Sequence, residues 1–386
     1  VTVWNQVVGQ PGPVGALAAA AKDTTAMTHA WLITGPPGSG RSVAARAFAA
    51  ALQCGQGGCG QCADCRQVAH RSHPDVFDAA TQTVVIGIDE VRQWVTLAAR
   101  KPARGRWRVL LIEDADRMLE RTGNVLLKSL EEAPQHTVWI LTAPSPADVL
   151  LTIRSRCRLV GLGIPPITDV IGVLVEGGVE AEAARLAALA AQCHIGLARH
   201  LASDAEAAAF RRLVLGLPAN SVSVALAAIG AGRLDDAARA RAESVVKERE
   251  GADRAKLLAS IGEASRGRMS AYGRARLKEF DEESKKRARR QQVDTLDRAL
   301  SYLLAFYRDV LVAQFGAKVD LVNQDCAGLV AACAQATSLD QTMACLAAIE
   351  QARVRVAANV APALALEAMA AALALPQLFG PKETQS

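Results

Sequence analysis

No uninterrupted run of about 18 apolar residues occurs in the chain, although 51% of its 386 residues are hydrophobic, which excludes an ordinary membrane-spanning helix. The opening VTVWNQVVGQ lacks a basic stretch followed by an apolar one, so no secretory leader is expected and a cytoplasmic protein is. Internal repeats are missing as well. A chain-wide basic face for nucleic acid is also excluded: of the net charge of +5, the segment Arg266–Arg290 alone supplies ten Arg or Lys against four Asp or Glu. The remainder is about neutral. Tryptophan is confined to the first 139 residues, where all five lie, and an alanine-rich helical texture sets in near residue 180. That shift marks the main boundary in a chain long enough for two or three domains.

The first part alternates two textures. AWLITG, WRVLLIED and TVWILTA read as strands, SVAARAFAAAL, VRQWVTLAAR and NVLLKSLEEA as helices, and a run ending in RSRCRLV follows. Short apolar runs alternating with helices predict a parallel sheet wrapped by helices, an α/β nucleotide-binding domain over residues 1–162. GLGIPP, with Pro165 and Pro166, reads as a linker, and residues 163–208 as a small helical piece. Helical periodicity continues over 209–380, broken around Gly216–Pro218 and after Arg266. KEFDEESKKRARR mixes both signs, so the strip at 266–290 reads as a solvated helix or a mobile insertion rather than a DNA contact. The tail GPKETQS is expected to be disordered.

Three features carry chemistry. Gly35-Pro36-Pro37-Gly38-Ser39-Gly40-Arg41-Ser42 follows a buried strand and opens a helix, and it fits the phosphate-cradling pattern except that Arg41 replaces lysine. Backbone N–H groups in such a turn meet an anion at the helix N-terminus. Arginine is longer, planar and forked, so it cannot place a point charge where lysine does. Nucleotide binding is expected, and efficient hydrolysis is not. VLLIED delivers Glu113 and Asp114 at a strand's carboxyl end, where a Mg²⁺-ligating Asp and a water-polarising Glu would stand in an ATPase. Their order is reversed, which misplaces metal and water. Cys54, Cys59, Cys62 and Cys65, spaced C-x4-C-x2-C-x2-C in a glycine-rich stretch, suit tetrahedral zinc, with an iron–sulfur cluster or free thiols as rivals. His70 and His73 close behind read as structural, and the five scattered cysteines as core residues.

Together these residues resemble the clamp loader of bacterial DNA polymerase III, a family of AAA+ ATPases, and its delta-prime branch above all. The string that carries the resemblance runs over about residues 5–162: VVGQ, HAWLITGPPGSGRS, the four-cysteine insert, HPD at His73–Asp75, IDEVR, IEDADRM, NVLLKSLEEAP and TIRSRC. Arg41, the Glu113-Asp114 order and Ala115-Asp116-Arg117 resemble delta-prime more than gamma/tau, the motor subunit.

The resemblance implies an AAA+ domain with a zinc insert, a helical lid and an all-α C-terminal collar domain for oligomerisation. It implies that Arg156 is an arginine finger placed in trans at a neighbouring gamma/tau subunit's ATP. Arg199 matches the lid arginine that senses nucleotide, and Thr142 is the candidate for the polar sensor on its strand. The implied partners are gamma/tau and delta subunits in a hetero-pentamer in the nucleoid-associated replisome, with the sliding clamp and primed DNA reached through the complex. A polymerase or exonuclease constellation is absent, so any such activity belongs to the holoenzyme. An active gamma/tau-like ATPase and a zinc-dependent nucleic-acid binder with a vestigial loop are the alternatives.

Overall fold

The computed structural model describes residues 2–23, 27–79, 85–220, 223–262, 271–358 and 360–378. GPKETQS and the start of the cationic strip, through Ser270, lie outside them. The chain divides into two compact units, Val1–Arg199 and His200–Ser386.

The first unit opens with a 3-10 turn, Val3–Gln6, and helix α1, Pro11–Lys22, and then alternates strands and helices. β1 (Ala30–Thr34) leads to α2 (Arg41–Gln53) and α3 (Ala63–Ala69), and β2 (Val76–Ala79) leads to α4 (Ile88–Ala98). β3 (Arg108–Ile112) leads to α5 (Glu120–Glu131), and β4 (Thr137–Ala143) to the short α6 (Leu151–Arg154) and β5 (Arg158–Gly161). All five strands are parallel, in the order β2-β3-β4-β1-β5. β1, β3 and β4 are buried along their whole length, which is why they read as unbroken apolar runs. Alternate residues feed opposite faces. Trp31, Ile33, Val109, Leu111, Val138 and Ile140 pack with α1, α2 and α3, whereas Leu32, Leu110, Ile112, Trp139 and Leu141 pack with α4, α5 and α6. β2, a four-residue strand with one buried residue, is an element the sequence pattern did not reveal.

The His73-Pro74-Asp75 turn locks the loop before β3. Asp75 is fully buried, and its carboxylate accepts N–H bonds from Ala103 (2.6 Å), Arg104 (2.8 Å) and Gly105 (2.7 Å). Burial works against this charge, but the three backbone donors, with Arg108 nearby, outweigh it and hold the carboxyl below its usual range. His73 Nδ1 accepts from the Asp75 N–H at 3.1 Å, a structural role.

After β5 and the linker come α7 (Ile167–Glu176), α8 (Ala181–Ala190) and α9 (Ile195–Ser203). Gln10 clamps the linker through both ends of its amide, at 2.6 Å to the Gly163 carbonyl and 3.1 Å from its N–H. The second unit continues with α10 (Ala205–Leu215), α11 (Leu217–Asn220), α12 (Val224–Gly262), α13 (Ala271–Gln314), α14 (Ala327–Ala336), α15 (Leu339–Ala357) and α16 (Pro362–Leu378). Stripes at three- and four-residue spacing form its core: Leu296, Leu300, Leu303, Tyr307 and Val310 on α13, and Cys345, Ile349, Ala352 and Val356 on α15. The cationic strip, where described, is the first half of the 44-residue α13, lying along α12 through Arg287–Glu250 and Arg254–Asp281 ion pairs. Among the described residues no helix is long and apolar enough to cross a membrane.

Replacing Asp75 by Asn leaves three buried N–H groups facing a neutral, misoriented amide and should cost about 2–4 kcal/mol in urea unfolding. Because the folded carboxyl is held low, its contribution is full above the unfolded group's range and vanishes as pH falls through the folded one. The gap between wild type and Asp75→Asn should therefore close in acid.

Candidate nucleotide and metal sites

The end of β1 fixes the loop beyond it. Thr34 is the last strand residue, and the Gly35 N–H donates to Ala143 and Pro144 carbonyls at the end of β4 (3.3 and 3.2 Å). Gly38 and Gly40 both have φ of +88°, a left-handed conformation that lets the chain turn into α2. A Cβ on Gly38 would lie 2.6 Å from the Cα of His194, so glycine is also needed for the helical piece to close over the loop. Ser39 is 1% exposed and its Oγ has no hydrogen-bond partner among the described residues. A cavity of about 730 Å³ opens on this loop. Pro37, Gly38, Ser39, Gly40, Arg41 and Ser42 line it, together with Arg199. Gly35 and Pro36 form the turn behind it, where the Pro36 carbonyl accepts from the Ser39 N–H. Asn5, Gln6, Val8, Val173, Gly177 and His194 also line the cavity. Of these, the sequence flagged only the VVGQ segment. A cradle open only to glycine and an orphaned hydroxyl on a helix N-terminus fit a phosphate group.

Arg41 does not reach outward as the pattern's lysine would; its Nη1 donates back to the Gly35 carbonyl. Burial pulls its pKa down, against the raising charges of Asp114, Asp116, Glu113 and Asp148. Glu113 is also engaged: Arg46 on α2 donates to its Oε1 at 2.6 Å and lies 3.6 Å from Asp78 on β2. Arg71 pairs with the same Asp78 at 3.3 Å. Burial pushes Asp78 up; Glu113 adds to that, while Arg71 and Arg46 oppose it. Asp114 takes a left-handed conformation, φ 56° and ψ 51°, and pairs with Arg117 at 3.4 Å. Neither Glu113 nor Asp114 lines the cavity. Arg46 and Asp78 were missed by sequence reasoning, although Arg46, four residues after Ser42 on a helix, was there to be noticed. Thr142 is buried on β4 beside Ile33 of β1 and lies outside the cavity lining.

Arg156 stands apart from this cavity. It follows α6, its Nε donates to Glu131 at 2.7 Å, its Nη2 donates to the same oxygen, and its Nη1 donates to the Thr152 carbonyl at 2.8 Å. The side chain remains 34% exposed, so the guanidinium is tethered at the surface.

The four clustered cysteines do converge, their Sγ atoms all within 4.8 Å of one another. Cys54 caps the end of α2, Cys62 caps the start of α3, and Cys65 lies in its first turn. The Cys54–Cys62 sulfur separation is 3.7 Å, close to the ~3.8 Å edge of a tetrahedron with 2.3 Å metal–sulfur bonds. Backbone N–H groups of Gln56 and Cys59 point at Cys54 Sγ, that of Cys62 at Cys59 Sγ, and that of Cys65 at Cys62 Sγ. Burial opposes a Cys54 thiolate, but these donors with that of Gly58 outweigh it and pull the thiol down to about 6. Four thiols with N–H donors arranged for charged sulfur can hold a metal ion. The knuckle is strapped to the core by Val3 N–H to Gly58 O (3.0 Å) and Trp4 Nε1 to Gly57 O (3.2 Å).

Two family models match the chain: "DNA polymerase III, delta subunit" over residues 9–165 and "DNA polymerase III, delta subunit, C terminal" over residues 288–372. The chain is 38% identical over 135 residues to DNA polymerase III subunit delta' of Pseudomonas aeruginosa, covering 33% of this chain and 41% of that protein. It is 34% identical over 160 residues to DNA polymerase III subunit tau/gamma of Haemophilus influenzae, covering 40% of this chain and 23% of that protein. It thus spans less than half the length of these curated relatives. A solved DNA polymerase III gamma subunit-related protein of Thermotoga maritima aligns over 94% of this chain and 99% of its own at 15% identity and a TM-score of 0.38, a likeness too loose to carry an argument.

The cysteine geometry makes a direct prediction. Metal analysis should find one ion per chain, and removing it with a chelator, or replacing Cys62 by Ser, should lower the melting temperature of the first unit by roughly 5 °C or more.

Proposed function

The chain belongs to the family of DNA polymerase III clamp-loader subunits, and from that premise we propose that it acts as the delta-prime-like member, an assembly subunit with little or no ATPase activity of its own. The observation that carries this reading is the state of the acidic edge: Glu113 is held by Arg46, and Arg41 is turned onto Gly35. A nucleotide, ATP or ADP, fits the loop from Gly35 to Ser42 with Arg199 across the cavity, while the groups that would drive hydrolysis are engaged elsewhere. Thr142, one strand over, is the sensor candidate of this reading. The ion in the four-cysteine knuckle is assigned as structural Zn²⁺, since the donors are all sulfur and no reactive group adjoins them.

In this reading residues 1–162 are the AAA+ domain, 163–208 the lid, and 209–380 the collar that joins gamma/tau and delta subunits in a hetero-pentamer. The complex, working in the cytoplasm, would open the sliding clamp and place it on primed DNA. Arg156 would leave Glu131 and stabilise the charge developing on a neighbour's transferred phosphoryl group. The gamma/tau-like alternative, an active motor, is favoured by one observation, the 34% identity to the tau/gamma relative.

Purified chain given Mg-ATP and primed DNA should turn over negligibly; brisk hydrolysis lost on Arg41→Ala would instead establish the motor reading. In the complex reconstituted with its partner subunits, Arg156→Ala should leave assembly intact and lower ATPase by at least about tenfold. Unchanged ATPase there would remove the finger role.

A further inference from the structure

Positive charge on the first unit gathers at the sheet edge opposite the loop cavity. All five strands are parallel, so the amino end of β3 and the carboxyl end of β1 lie at opposite edges. Between α4 and β3 the chain carries Arg100, Lys101, Arg104 and Arg106, all exposed. The backbone of this loop is pinned from within. Asp75 accepts the Ala103, Arg104 and Gly105 N–H groups, Gln53 accepts that of Arg106 at 3.1 Å, and Arg108 donates to the Lys101 carbonyl at 3.2 Å. These anchors hold main-chain atoms and leave the four cationic side chains to solvent.

Little negative charge opposes them. Asp75 is fully buried and lies 3.5 Å from Arg108, so its charge is met inside. Asp64 takes Arg104 at 2.7 Å. Among the described residues no ion pair engages Arg100, Lys101 or Arg106. The negative end of the α4 dipole accounts for a cation at Arg100 or Lys101, but Arg104 and Arg106 stand at no helix end. Exposed large apolar side chains are missing here: among the described residues none occurs between Val85 and Leu119. Trp107 beside the loop packs on the core and against His136, with ring centroids 5.5 Å apart. A protein interface is anchored by apolar or aromatic groups inside a polar rim. A fixed loop of cations without such an anchor suits an array of phosphates, which guanidinium forks meet bidentately.

We propose that the loop from Arg100 to Arg106 is a contact surface for the phosphate backbone of nucleic acid, reading charge and not sequence. It goes beyond the subunit reading and does not depend on the nucleotide site. The charge balance of the whole chain excludes a broad basic face, but not four cations on one short loop. So few phosphate contacts make binding by the chain alone weak and salt-dependent.

The test uses the full chain, with a fluorescein-labelled duplex DNA of about 20 base pairs and one of its strands as probes. By fluorescence anisotropy, wild type should bind duplex with a dissociation constant on the order of 10 µM at about 50 mM salt, and log K should fall against log salt with a slope of about −3. Replacing Arg100, Lys101 and Arg106 together by Ala should weaken binding at least about tenfold and flatten the slope to about −1. Arg100→Lys with Arg106→Lys keeps the charge and should stay within about threefold of wild type. Should the triple variant unfold, Arg100→Ala alone and Arg106→Ala alone should each reduce the slope by about one. Lys278→Ala with Lys286→Ala, on the exposed face of α13, should bind within about twofold of wild type. Binding of duplex or of single strand supports the proposal, and the tighter of the two names the form recognised. No binding of either probe by wild type, unchanged affinity and slope in the loop variants, or loss of binding in the α13 variant alone overturns it. A polyglutamate peptide bound as tightly as duplex, and lost with the same loop residues, overturns it in favour of an acidic protein surface.

Discussion

The candidate sites depend on the immobility of β1, because a strand hydrogen-bonded on both sides and buried on both faces offers its carboxyl end as a fixed point. β4 pairs along one side and β5 along the other, and the Leu162 N–H closes onto the Thr34 carbonyl at 2.7 Å. The chain can leave that point only by the turn through Gly38 and Gly40. That turn aims α2, a 13-residue helix that links both sites. The helix N-terminus opens on the loop cavity, and its last side chain, Gln53, accepts from the Arg106 N–H and donates to the Trp107 carbonyl. Its cap is Cys54, the first of the four convergent thiols. A displacement of α2 would therefore disturb the loop, the approach to β3 and the cysteine knuckle together.

Along this helix, charge is arranged rather than scattered. Arg41 and Arg46 both lie near the strand-end acids but are held differently. Arg46 is bonded to Glu113, whereas Arg41 is bonded to backbone and feels Asp114, Asp116 and Glu113 through space. Burial pushes the Asp116 carboxyl up, and Asp114 adds to it, against Arg117 and Arg41. Its Oδ1 has no hydrogen-bond partner among the described residues. Guanidinium groups beside these partly buried acids offset part of the desolvation cost of their charges. The reversed Glu-Asp order belongs to this balance. The longer Glu113 side chain reaches Arg46, and Asp114, in a left-handed conformation, faces Arg117.

The sheet was legible because strands buried on both faces must be apolar throughout, and AWLIT, RVLLI and TVWILTA are. β2 was not, because VFDA is a four-residue edge strand whose Asp78 serves the charge cluster rather than the core. The cysteine knuckle was legible from spacing alone, since close thiols need a common purpose. Arg46 was overlooked because an arginine inside SVAARAFAAAL reads as a solvated helix face, and only the fold brings Glu113 and Asp78 to it. The charged strip was expected as a solvated helix or a mobile insertion, and residues 271–290 are indeed helical; what the sequence did not show is that they continue into the core-forming half of α13 and pair with α12. Sequence supplies the helical period there, but not the partner that neutralises it.

Arg156 is held at the surface by an ion pair that is weak enough to exchange partners. Its bonds to Glu131 involve side chains 34% and 47% exposed, and exposed pairs contribute only about 0–1 kcal/mol. Such a tether orients the guanidinium against α5 and the end of α6 while costing little to release. A triphosphate in a water-poor site would attract the same group more strongly, because charge–charge interaction grows as the surroundings lose water. The contact with Glu131 therefore favours a presented arginine over a disordered one and leaves the choice of partner to whatever anion approaches. The two arginines, Arg46 and Arg156, differ less in their own exposure, 24% and 34%, than in that of the acids they meet, Glu113 at 20% and Glu131 at 47%, so it is the partner of Arg156 that water screens more.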